Sequence, residues 1–212
     1  MPWKSHCKNA VTSYWHLKLT QEALEKSTLK LIIWNTAALE AHGVWQSCSG
    51  QPRLVEAAST RARLMVQRYS LNNVGWRQAK GEPCTCLLCG YDTEDLEHFL
   101  ITCPKLKHIR EERILELQCL YTAECIPCPA TPSELCSAVL TGDGFYRESP
   151  GWGLEDIYAR LSGNSRNGHL LCTISTILCH KLHIERETIL NDLTCEHTGE
   201  KPHHSTRRDQ NP

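Results

Sequence analysis

Three stretches of the chain repeat their apolar positions at three- and four-residue steps, and each predicts a helix with one buried face. The first runs from Pro52 to Ser70, with Leu54, Val55, Ala58, Ala62, Met65, Val66 and Tyr69 on the stripe. Pro52 suits its first turn, where a missing N–H is no loss, and Asn72 and Asn73 favour a turn beyond it. Arg53, Arg61 and Arg68 are expected to point away from the buried face. The second runs from Pro104 to about Tyr121 on Leu106, Ile109, Ile114, Leu117 and Leu120. The third, His169 to Leu190, buries Leu170, Leu171, Ile174, Ile177, Leu178, Leu182, Ile184 and Ile189. A shorter helix from Ser133 to Leu140 has its cap in Ser133 or Thr131.

Elsewhere the pattern is weaker. Between Gln21 and Leu39 the apolar residues form a mixed stripe, so residues 1–50 read as an irregular helical segment. Residues 141–167 are rich in Gly and Ser and read mostly as loop, with a helical turn near Leu154 to Leu161. Beyond Asn191 the chain is polar and basic, and residues 191–212 are expected to be a disordered tail. No internal repeat is present. The expected architecture is mainly α: an N-terminal segment (1–50), a helix–knuckle–helix module (51–121), a loop-rich and helical segment (122–190), and the tail.

Between the first two good helices the apolar pattern gives way to CLLCG and EDLEHFLITCP. Cys86 and Cys89 can approach one ion from a tight turn, and Gly90 lets the backbone take up the conformation that turn requires. His98 and Cys103 complete a set of three sulfurs and one nitrogen. That closed set suits structural Zn²⁺, whereas a catalytic zinc keeps a position open for water. Residues 86–103 carry six large aliphatic or Phe side chains, too little apolar area to offset an ordering cost of about 1.5 kcal/mol per residue. A structural zinc contributes on the order of 10 to 16 kcal/mol. Cys84 is a less suitable substitute for Cys86, because its spacing to Cys89 is longer.

Composition bears on the metal reading through cysteine. There are thirteen, an odd number, and the N-terminus MPWKSHCKNA lacks the apolar run of a secretory signal. Reduced thiols and an intracellular location, nucleus or cytoplasm, are the expectation, with cysteine serving metal more than disulfides. Apolar runs such as Leu31 to Trp34 fall far short of the roughly 20 residues that span a membrane. A net charge of -1 and a pI near 6.8 give no global attraction to nucleic acid, so that partner requires a local patch. The candidates flank the knuckle: Arg61, Arg63, Arg68, Arg77 and Lys80 before it, Lys105, Lys107 and Arg110 after it. Tyr69, Trp76, Tyr91 and Phe99 are candidate base-stacking residues. The competing reading makes these cations a solvated surface, diluted by Asp92, Glu94, Asp95, Glu97, Glu111 and Glu112.

From about Val44 to Tyr121, through VWQSCSGQPRLVEAASTRARL, RLMVQRYSLN, CLLCG, EDLEHFLITCP and KLKHIR, the chain resembles the zinc-binding region near the C-terminus of non-LTR retrotransposon polyproteins. The resemblance implies a zinc held by Cys86, Cys89, His98 and Cys103 and a role in binding RNA or target DNA. It also marks what is missing. The chain has no polymerase-type aspartate pair and no recognisable endonuclease constellation, so no enzyme activity is expected. Two alternatives stand beside a nucleic-acid-binding module: a zinc-stabilised module that binds protein, and a retroelement remnant without selected function.

Three further patterns carry less. Cys125 and Cys128 could form a redox pair or half a metal site, but no strand context or histidine spacing supports either. The string from His197 to Pro202 matches a linker between tandem zinc fingers, yet no finger cysteines flank it. Cys179, His180 and His183 share a helix without a third group to orient them.

Overall fold

The computed structural model describes residues 2–25, 43–46, 48, 51–72, 81, 83–90, 93–123, 128–141 and 166–198. The protein is mainly α-helical, and the four candidate ligands lie between helices. Six α-helices are described: α1 (Pro2–Glu25), α2 (Gly43–Gln46), α3 (Val55–Met65), α4 (Lys107–Ala123), α5 (Pro132–Thr141) and α6 (Arg166–Thr198). Short 3-10 turns, Pro52–Leu54 and Pro104–Leu106, lead into α3 and α4, each with proline in its first turn. Among the described residues there is no strand, only an isolated bridge between Thr85 and Thr93.

The long helix α6 is the spine, against which α2, α3, α4 and α5 pack. Its buried face is Leu171, Ile174, Leu178, Leu182 and Arg186, recurring at three- and four-residue steps. Leu170 and Ile184, expected to bury, lie off that stripe and are exposed. The core is shared with Ala58, Leu64 and Met65 of α3, Leu117 and Tyr121 of α4, and Ala138, Val139 and Leu140 of α5. By contrast α1 leaves Trp3, Val11, Tyr14, Trp15 and Leu17 exposed and contributes none of its described side chains to the core.

Helix α3 stops at Met65, five residues short of the Ser70 that its apolar repeat suggests. The Gln67 N–H reaches the Leu64 carbonyl at 3.1 Å, and the Arg68 N–H reaches that of Arg63 at 2.8 Å. This pair of bonds is a Schellman ending, with Gln67 at φ +53° in the position usually given to glycine. Helix α5 is capped by Thr131, whose Oγ1 accepts the Glu134 N–H at 3.2 Å. Glu134 Oε2 accepts the N–H of Thr131 in return at 2.9 Å, closing a capping box. The Thr131 and Ala130 N–H groups, both donating to Oε2, hold the Glu134 carboxyl below its ordinary range.

Helix α6 continues to Thr198, past the Asn191 where the polar tail is expected to begin. Extending an existing helix adds a hydrogen bond for each residue fixed, and no Pro or Gly lies between Asn191 and Gly199. The remainder of the tail, residues 26–42, the stretch 142–165 expected to be mostly loop, and Cys125 lie outside the described residues.

Candidate metal centre

The centre is built on two short irregular segments. After Thr85 the chain turns sharply, and the Gly90 N–H returns to the Cys86 carbonyl at 2.8 Å. Gly90 sits at φ +74°, a region where a Cβ is strained, so glycine closes the turn that carries Cys86 and Cys89. The second segment is one widened helical turn. Asp95 Oδ1 accepts the His98 N–H at 2.7 Å, in the manner of an N-cap. Residues His98–Thr102 then form a π-helical turn in which the Cys103 N–H reaches the His98 carbonyl at 2.7 Å. The extra residue in this turn brings His98 and Cys103 to the same centre, and Pro104 starts the next helix.

The ligand atoms of Cys86, Cys89, His98 and Cys103 all lie within 4.8 Å of one another. Cys86 Sγ is 3.9 Å from Cys103 Sγ, and Cys89 Sγ is 3.4 Å from His98 Nε2. A tetrahedral site with metal–sulfur bonds of about 2.3 Å and metal–nitrogen bonds of about 2.0–2.1 Å has S–S edges of about 3.8 Å and S–N edges of about 3.6 Å. Both measured edges fit. The cluster has the donors and the geometry to hold a metal ion.

Its surroundings favour a closed site. Cys86, His98 and Cys103 are buried and Cys89 is half-buried. Burial pushes the Cys86 thiol up to about 12 and also raises that of Cys103. A coordinated cation reverses this preference by displacing the thiol proton. On its outer side, His98 Nδ1 lies 3.3 Å from Thr102 Oγ1. Were Nε2 to hold the metal, the proton would sit on Nδ1, and the Thr102 hydroxyl is placed to accept it.

A buried ion pair joins this knuckle to α6. Arg186 donates from Nε to Glu94 Oε1 at 2.9 Å and from a second nitrogen to Oε2 at 3.1 Å. Glu94 is fully buried; its Oε2 also accepts the Asn72 N–H at 2.7 Å, and its own N–H reaches the Cys84 carbonyl at 2.8 Å. Asn72 spans the same junction by donating its side-chain amide to the carbonyls of Pro83 at 3.2 Å and Thr85 at 2.7 Å. Beside it Tyr69 stacks on Phe99 with ring centroids 5.3 Å apart, and its hydroxyl lies 2.7 Å from His183 Nδ1. Tyr69 and Phe99 are thus engaged in the junction between knuckle and α6. The sequence reading missed Arg186 and took Glu94 for a surface acid.

The proposed phosphate contacts divide. Arg61, expected to face away from the core, is fully buried. It donates to the carbonyls of Leu140 at 2.9 Å and Cys172 at 3.0 Å and to Thr176 Oγ1 at 3.2 Å. The reason is register: Arg61 follows Ala58 by three residues and precedes Leu64 and Met65 by three and four, in the middle of the buried stripe. Arg110 is buried too, on the α4 face that continues the line from Leu106 of the preceding turn to Leu117, and its Nη2 donates to the Cys103 carbonyl. Neither can meet a phosphate in this fold. Arg63, Arg68, Lys105 and Lys107 are exposed. Arg77, Lys80, Trp76 and Tyr91 lie outside the described residues.

Cys179 is also buried, and desolvation pushes its thiol up to about 12. Among the described residues no helix is long and apolar enough to cross a membrane. No family model matches the chain, and neither a curated protein nor a solved structure is significantly similar to it.

Proposed function

We propose that the chain is a non-catalytic, nucleic-acid-binding module organised by one structural Zn²⁺, of the kind it resembles in non-LTR retrotransposon polyproteins. The observation that carries the reading is the closed S₃N cluster of Cys86, Cys89, His98 and Cys103, with burial on most sides. Three thiolates and an imidazole select zinc over hard cations, and four protein ligands leave no open position for chemistry. The zinc then serves to order a surface.

The cations available to that surface are Arg63 and Arg68 at the end of α3, with Lys105 and Lys107 where α4 begins. Lys107 lies 3.4 Å from Glu111, but both are well exposed, so this pair costs little to break. Arg77 and Lys80 remain sequence candidates for the same role.

The test combines metal content with titration against a single-stranded RNA and a DNA duplex. One equivalent of zinc is expected. Affinity is expected to fall with salt at a log–log slope of about 0.9 for each duplex phosphate contacted. Reversing the charge of Arg63, Arg68, Lys105 and Lys107 together should remove most binding while zinc stays bound. Affinity unchanged by that variant would favour the protein-binding alternative, and a folded protein without zinc would remove the basis of the reading.

A further inference from the structure

Among the described residues three arginines are buried, and two have an evident counter-charge. Arg186 has the Glu94 carboxylate. Arg61 donates to Leu140 at the C-terminal end of α5, where unpaired carbonyls carry the negative end of the helix dipole. Arg110 has neither. It is 4% exposed, and no carboxylate of the described residues lies within ion-pair distance. Its Nη2 donates to the Cys103 carbonyl, and its Nη1 is buried without a partner among the described residues. An uncompensated buried guanidinium is costly, and natural cores avoid one.

The metal centre offers the missing charge. Three thiolates and a neutral imidazole around a divalent cation leave a net single negative charge, in a pocket where Cys86 and Cys103 are almost wholly buried. That anion needs a nearby cation as much as Arg110 needs an anion. We propose that Arg110 is the counter-ion of the metal centre, a positioning residue that fixes the Cys103 backbone through Nη2 and offsets the charge of the metal–thiolate unit. The inference rests on the zinc reading above and deepens it. It makes Arg110 part of the zinc site, outside the nucleic-acid surface.

The test is competition for Zn²⁺ against a chromogenic chelator, using the full chain. Arg110→Met is expected to weaken zinc binding and speed its release by roughly ten- to a hundredfold, the range for loss of an outer-shell partner. Arg110→Lys, which keeps the charge, is expected to stay within a few-fold of the parent. A charge-neutral centre supplies the control that a packing role would not move. In a Cys89→His background the centre loses its net negative charge, so the penalty of Arg110→Met should shrink. An equal penalty in both backgrounds would overturn the proposal, as would Arg110→Lys releasing zinc as fast as Arg110→Met. If Arg110→Met does not fold in excess zinc, Arg110→Gln takes its place in the same cycle. A parent protein that takes up no zinc would sink the zinc reading itself. A parent that binds zinc as tightly as Arg110→Met does would sink only this inference.

Discussion

Helix α6 is anchored by a buried arginine at each end of its packed length, and the two anchors differ in kind. Toward its start, Arg61 reaches in from α3 and donates to Cys172 and Thr176 of α6 and to Leu140 of α5. Toward its end, Arg186 reaches out to Glu94 of the knuckle. The first anchor joins regular helices through two backbone carbonyls and one hydroxyl that the helices themselves supply. The second requires residues 83–94 to hold a shape they have little apolar area to maintain. One end of α6 thus depends on ordinary packing, and the other depends on whatever orders the knuckle.

The largest expected effect separates the two ends by removing the metal. Chelation, or Cys103→Ser, should abolish amide protection across residues 84–103 and lower it over 182–190 of α6. Protection over 171–178 and in α3 should persist. Hydrogen exchange followed by mass spectrometry reads both regions in one experiment. Equal loss at both ends would mean that the whole core depends on the metal and that the two anchors are not independent.

Single substitutions sharpen the contrast. Glu94→Gln leaves Arg186 buried beside a neutral amide, and breaking a buried pair in this way costs about 3–5 kcal/mol. Arg61→Met leaves the Leu140 carbonyl without its donor, at about 1–3 kcal/mol. Denaturant melts with and without chelator should show the Glu94→Gln penalty shrinking when metal is absent, since the pair is then already loosened. The Arg61→Met penalty should be the same in both. A Glu94→Gln penalty that ignores metal would show that the ion pair orders the knuckle without help.

These differences explain what the sequence revealed and what it concealed. The ligand set was legible because coordination demands particular residue types at short range, and Gly90 marked the turn between them. The buried arginines were misread for a different reason. The register of α3 already places Arg61 between Ala58 and Leu64, but the expectation that arginine seeks water overrode the spacing. Arg110 sits four residues beyond Leu106 in the same way. Glu94 and Arg186 were beyond local reading, since 92 residues separate them and neither breaks a pattern in its own segment. The early end of α3 was hidden because its left-handed position is filled by Gln67, where glycine would have signalled it.

A smaller effect at the knuckle end of α6 follows from His183. Burial holds its imidazole below the ordinary value, with His180 and Arg186 acting in the same direction and Glu187 and Glu56 opposing. Tyr69 faces it through the 2.7 Å contact to Nδ1. A folded value below the unfolded one means that the unfolded chain binds the proton more readily. The His183 contribution is therefore intact above the unfolded value of about 6.5 and is lost as pH falls through the lower folded value. At fixed excess zinc, wild type should lose stability relative to His183→Gln as pH drops from about 7 to 5. Parallel pH profiles would remove His183 from the account of that junction.

The smallest effect tests whether the Arg61 end is as self-contained as its bonds suggest. Thr131 caps α5, the helix whose far end receives Arg61, and both cap bonds are exposed to water. Thr131→Ala removes one of them and should cost about 1 kcal/mol. Because the cap lies at the opposite end of α5 from Leu140, the penalty should add to that of Arg61→Met in the double variant within about 0.3–0.5 kcal/mol. It should also be unchanged by chelation. Strong non-additivity would show that fraying at Thr131 propagates along the ten residues of α5 to the Arg61 anchor. The anchor would then depend on the integrity of α5 as the Arg186 anchor depends on the knuckle, and the contrast between the two ends of α6 would narrow to the identity of what orders each.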